Sequence, residues 1–227
     1  MNKADDLLSE VTEFHKSMRG DKHHRFRSWE HCYQFFGANP TNYDLASLHL
    51  GFYLASWGMY RGSSFLLQKD YRIHEGAVKE ILNPRYRGLR DISLDRLNKN
   101  DENEVELIFE LIDWLKNFYR KTTELPRREV NVTDTLATKI LMGTLGCIPA
   151  YDRFFIAGIK HHGLSYSYLN KKNFSEMIAF CLEQKQDFEK AQARVSSHGV
   201  NYPVMKIVDM YFWRLGEQRD SGKTALS

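Results

Sequence analysis

Apolar residues recur every three or four positions along almost the whole chain, the signature of amphipathic helices rather than of strands. Leu7, Leu8, Val11, Phe14 and Met18 predict a first helix ending near Gly20. Trp29, Cys32, Tyr33 and Phe36 predict a second, with Ser28 as its cap. Residues 45–60, LASLHLGFYLASWGMY, carry no charge. Started by Asn42 or Asp44, this segment predicts a helix apolar on every side, and hence the centre of the core. It is shorter than the ~20 residues that cross a bilayer. After the polar break Arg61-Gly62-Ser63-Ser64 comes a helix through Tyr71 to Leu82, then irregular structure with a short helix over 83–101. Residues 102–119 form a strongly amphipathic helix on Val105, Ile108, Leu111, Ile112, Leu115 and Phe118.

The connection 120–133 holds Pro126, and Val130 and Val132 alternate there as a short strand would. Thr133 or Asp134 caps the next helix, and Gly146-Cys147-Ile148-Pro149 turns the chain into one running from near Tyr151 to Gly163. Asn173 with Glu176 three residues on predicts a capping-box start for a long helix to about Val195. Tyr202-Pro203 opens a last helix, ending at Gly216. The pattern therefore predicts an all-α fold of about nine helices around the buried 44–60 helix. It forms a single helical domain over 1–216, with room for two lobes and a cleft between them. Residues 217–227 read as a polar, disordered tail.

Composition narrows the function classes. In 227 residues, 42% are hydrophobic and 27% charged, the balance of an ordinary globular domain. Three scattered cysteines, Cys32, Cys147 and Cys181, argue against a disulfide framework and a cysteine-based zinc site. With an acidic N-terminus that lacks the regions of a signal peptide, they lead us to expect a cytoplasmic protein. Nine histidines show no HxxxH or HExxH spacing, so neither a metal nor another cofactor is expected. The net charge of +3 implies no nucleic-acid partner by itself. Its distribution is uneven: Lys and Arg exceed Asp and Glu over 15–31, 83–99 and 160–172, whereas 101–113 is wholly acidic. Such basic stretches can track a phosphate backbone.

Three constellations could carry chemistry. Arg25 and His31 have the spacing seen in all-helical HEPN-type ribonucleases, which would make them a metal-independent pair working on RNA phosphate. Arg61, Ser63 and Ser64 follow the most apolar helix, and a guanidinium with two hydroxyls suits a phosphate or carboxylate. Residues 137–159, ATKILMGTLGCIPAYDRFFIAGI, end a packed helix at Gly146 and place Asp152 in the first turn of the next.

This last segment resembles the catalytic segment of helix-hairpin-helix DNA glycosylases. LHLGFYLASWGMYRGSS is similar to that family's early buried helix and ENEVELIFELIDWLKNFY to the helix before its hairpin. FSEMIAFCLEQ and YPVMKIVDMYFWRLG are similar to its closing helices, so the resemblance covers roughly residues 43–216. It implies Asp152 as a catalytic carboxylate stabilising an oxocarbenium-like sugar, with Trp57, Arg61, Ser63, Ser64 and Arg153 lining the substrate cleft. The implied partner is a nucleic acid or nucleotide. The chain departs from the family where the LPGVG-like hairpin should stand, since REVNVTDT holds no glycine, and no lysine occupies the hairpin position. SWEHCYQFF and FYLASWGMYRGSSFLLQ also resemble a family of uncharacterised microbial helical proteins, which implies no activity. A non-enzymatic interaction protein with a vestigial cleft is the alternative from another class.

Overall fold

The computed structural model describes residues 7–98, 103–122, 131–196 and 199–224, with side chains to residue 220. The helices are α1 Leu7–Arg19, α2 Arg27–Gly37, α3 Tyr43–Ser56, α4 Glu75–Ile81, α5 Leu94–Asn98, α6 Glu104–Thr122, α7 Asp134–Thr144, α8 Arg153–His161, α9 Lys171–Glu183, α10 Lys185–Ser196 and α11 Val204–Thr224. Short 3₁₀ turns at Phe65–Gln68, Tyr71–His74 and Pro84–Leu89 join them. The fold is all-α, without a strand among the described residues. Pro126, Val130, His198 and the end of the expected tail lie outside those residues.

The centre of the core is α7, not α3. Residues 136–151 are buried without interruption. The two buried hydroxyls on α7 bond within the helix, Thr138 Oγ1 to the Asp134 carbonyl at 2.8 Å and Thr144 Oγ1 to that of Ile140 at 2.8 Å, so burial leaves neither unsatisfied. A Cβ on Gly143 would stand 2.3 Å from the Tyr53 ring, so glycine here lets α3 close on α7. On α3, Leu50, Tyr53 and Leu54 face inward, while Leu48 and Phe52 are exposed by 45% and 61% and Ala55 is exposed too. An all-apolar sequence thus hid a one-sided helix.

Several expected ends shift for local reasons. Asn42 caps α3 through Leu45 N, and Thr133 caps α7 through Leu136 N. Ser28 does not cap α2; it lies inside the helix, buried, and its Oγ has no hydrogen-bond partner among the described residues. The capping box of α9 is Asn170 with Asn173, three residues earlier than expected, and the long helix breaks at Gln184 into α9 and α10. The last helix passes straight through Gly216 to Thr224. Gly216 is a contact residue rather than a stop: its Cβ would fall 1.9 Å from the Phe154 carbonyl oxygen, and that of Gly158 would fall 1.9 Å from the Phe212 carbonyl oxygen. These reciprocal glycines bring α8 and α11 together backbone to backbone. Arg214 with Glu217 and Gln218 with Glu10 hold the turns beyond. The buried apolar residues form one connected cluster from Leu7 to Leu215.

Candidate functional site

The turn between α7 and α8 is built to place one carboxylate. Gly146 takes a positive φ of 66°, where a side chain would also strike Pro203 and Tyr33. Ala150 N donates to Asp209 Oδ1 at 3.0 Å and Tyr151 N to Thr138 Oγ1 at 3.0 Å, which fixes the strand of chain leading to Asp152. Asp152 is the N-cap of α8: Oδ1 accepts from Phe154 N and Phe155 N, both at 3.1 Å. Its other oxygen lies 3.3 Å from Lys139 Nζ, and only 13% of the side chain is exposed. Both carboxylate oxygens therefore have partners.

Lys139 is the residue that sequence reasoning missed. It sits on α7 with 5% of its side chain exposed, and donates to the Trp57 carbonyl at 3.2 Å. Burial lowers its pKa, and the Asp152 carboxylate opposes that shift. A second buried pair, Lys206 with Asp209 at 2.7 Å, lies alongside. The Trp57 ring has Lys139 Nζ at 5.2 Å and Lys206 Nζ at 5.0 Å, and it stacks on Phe26 at 4.4 Å. The signal was present in two places, a lysine inside the apolar run ATKILMG and the i,i+3 pair in KIVD.

A separate groove of about 780 Å³, which none of these residues lines, lies between residues 58–69 and the N-terminus of α7. Met59, Phe65, Leu67 and Leu136 supply its apolar wall; Arg61, Ser63, Ser64, Gln68, Lys69, Asn131 and Thr133 supply its polar groups. Gly58 and Gly62, at φ of 75° and 60°, shape the turn that carries Arg61. Ser64 Oγ caps the following 3₁₀ turn through Leu66 N at 3.3 Å, while Ser63 is exposed. Neither Arg61 nor Lys69 has an ion-pair partner among the described residues, and no carboxylate stands among the described lining residues.

The structure thus brings Arg61, Ser63 and Ser64 to one groove. Trp57 and Asp152 meet through Lys139, one turn along α7 from the lining residue Leu136. Arg153 lies elsewhere, stacked on Phe154 at 4.3 Å and paired with Asp220 at 3.4 Å. Arg25 rests on Phe26 at 4.9 Å, whereas His31 is an electrostatic neighbour of His49. The basic stretches are matched within the chain in part: Arg19 and Arg27 meet Glu30, Arg85 meets Glu110, Arg96 meets Glu104 and Lys171 meets Glu106. Arg90 donates to the Thr144 and Tyr33 carbonyls.

Among the described residues no three potential metal ligands cluster, and none of the described helices is long and apolar enough to cross a membrane. All three cysteines are free and buried, and burial pushes the Cys147 thiol up to about 12. Comparisons with family models, with curated proteins and with solved structures give no match.

Proposed function

We propose that this chain is a helical binding domain for a phosphate-bearing ligand, a nucleotide or a nucleic-acid segment, held in the groove between residues 58–69 and α7. The observation that carries the proposal is the groove's lining: two cations without ion-pair partners among the described residues, hydroxyl and amide groups, and an apolar wall. Arg61 is suited to a bidentate contact with a phosphate, Lys69 to a point-charge contact, and Ser63 to a hydroxyl donation. A volume near 780 Å³ lies within the usual range of small-ligand sites, roughly 300–1,000 Å³. The apolar wall offers the body of the ligand a place to leave water. Asp152 supports binding over hydrolysis in this arrangement, since its oxygens are committed to two amides and an ammonium.

Fluorescence anisotropy with a labelled single-stranded oligonucleotide, competed by unlabelled ATP, tests the proposal and separates the two ligand sources. Saturable binding that weakens as salt rises is expected, because phosphate contacts release counterions. Arg61→Ala should weaken it by about fivefold or more, the size of one lost charge-assisted contact, and ATP should compete only if one nucleotide fills the groove. Binding equal in wild type and in the Arg61→Ala, Lys69→Ala double variant would sink the proposal, as would no binding at all.

A further inference from the structure

One wall of the groove, residues 58–65, turns toward the groove with a single exception: every residue in it is a lining residue except Tyr60. The Tyr60 hydroxyl instead lies 2.8 Å from Nε2 of His74, whose Nδ1 is 2.6 Å from the Tyr119 hydroxyl. His74 and Tyr119 are both wholly buried, one just ahead of α4 and the other on α6. The wall has little else to hold its shape. Gly58 and Gly62 take positive φ of 75° and 60°, so the backbone turns sharply on either side of residues 59–61. Backbone bonds secure its ends, Met59 N donating to the Leu54 carbonyl at 2.9 Å and Leu67 N to that of Ser64 at 3.1 Å. Between them, Ser64 N donates to the Arg61 carbonyl at 3.2 Å, which closes the turn on itself without tying it to the core. Among the described residues, Tyr60 makes the one side-chain hydrogen bond that joins residues 60–63 to another element.

We propose that Tyr60 and His74 are positioning residues for this groove: their hydrogen bond, anchored on Tyr119, holds the turn that presents Arg61 to the ligand's phosphate. The proposal rests on the phosphate-binding reading above. With the turn already held, binding does not have to order it, and affinity gains accordingly. The Arg61 side chain is placed from its own side as well. Its Nε would stand 3.0 Å from a Cβ on Gly58, so it packs against backbone that glycine leaves bare. Phe65, further along the wall, leans on the Tyr119 ring at 5.8 Å, so both halves of the wall rest on one buried tyrosine. Lys69 is held differently, by its own backbone bond to the Leu66 carbonyl at 2.9 Å. The two cations of the groove therefore differ in their dependence on Tyr60.

The same oligonucleotide titration reads that difference. Tyr60→Phe keeps the ring and removes the hydroxyl, and should weaken binding about threefold, the size of ordering one loose group on association. Stability alone does not test the role, since a buried His74 left without a partner lowers it in any case. A double-mutant cycle does. In an Arg61→Ala background Tyr60→Phe should leave the remaining affinity unchanged, whereas in a Lys69→Ala background it should keep its full effect. Circular dichroism checks folding, and His74→Leu replaces Tyr60→Phe if that variant misfolds. Losses of equal size in the two backgrounds would make Tyr60 a merely structural residue and overturn the proposal, as would unchanged affinity in Tyr60→Phe itself. Either result spares the groove as a binding site, provided that the Arg61→Ala, Lys69→Ala double variant still loses affinity. A wild-type chain that binds no oligonucleotide would overturn both.

Discussion

Asp152 and Lys139 show how far a single carboxylate's role depends on its partner. If Asp152 were a free active-site acid, Asp152→Asn would remove activity and leave stability alone. Paired with a buried ammonium, the same change keeps the N-cap, because an asparagine oxygen still accepts from Phe154 N and Phe155 N. What it removes is the one carboxylate within ion-pair distance of Lys139 among the described residues, with Asp209 acting on the ammonium from farther off. Breaking a buried pair from one side costs about 3–5 kcal/mol when the other charge is left uncompensated. Urea unfolding of Asp152→Asn should therefore show a loss of that order, reduced where Lys139 escapes by losing its proton. Lys139→Met should cost less, since the remaining carboxylate keeps two amide donors and some water. Equal losses in the two variants would mean that the ion pair is not what holds Lys139 in place.

At the scale of the helix, the α8–α11 crossing rests on Gly158 and Gly216. In an isolated helix, Gly216→Ala would gain about 1 kcal/mol in propensity. Here the new Cβ falls 1.9 Å from a carbonyl oxygen of the facing helix, a contact that only backbone separation relieves. Overpacking of this kind costs about 1–3 kcal/mol, so thermal melts should show Gly216→Ala destabilised despite its better propensity. Once the helices have moved apart, Gly158→Ala should add less than its separate effect. Full additivity would refute a shared crossing. The same glycine explains why the last helix was expected to end too early: a glycine at a close approach and a glycine at a helix stop are the same letter. Local chemistry was legible where it is set within a few residues, as in the Asn42 and Thr133 caps and the Asp152 turn. The choice of α7 over α3 as core centre was not, because two apolar helices differ only in what packs around them. The groove was half legible, Arg61, Ser63 and Ser64 by their position after α3. Lys69, Asn131 and Thr133 join them only through tertiary contact.

At the scale of the whole molecule, one buried histidine ties stability to pH. His74 is completely buried, with Nε2 2.8 Å from the Tyr60 hydroxyl and Nδ1 2.6 Å from that of Tyr119. A neutral imidazole satisfies both contacts, donating through one nitrogen and accepting through the other. Burial pushes its pKa down from 6.5 to about 3. The folded pKa is thus below the unfolded one, so between those values the unfolded chain binds a proton that the folded chain does not. Stability is fully present above about pH 6.5 and is lost as pH falls toward 3, with a slope approaching about 1.4 kcal/mol per pH unit. His49, also lowered by burial, contributes in the same direction, and Glu13 and Glu75, held below the usual carboxylate range by Lys16 and Lys79, act only nearer pH 4. The interval from pH 5 to 6.5 therefore isolates the histidines, and one substitution isolates His74 among them. His74→Gln can still bond both tyrosines but cannot titrate. Urea unfolding across that interval should show a shallower pH dependence in the variant, even if it is less stable at pH 7. An unchanged slope would mean that His74 already carries its proton in the folded chain, and that the Tyr60–His74–Tyr119 contact is not the neutral bridge its burial requires.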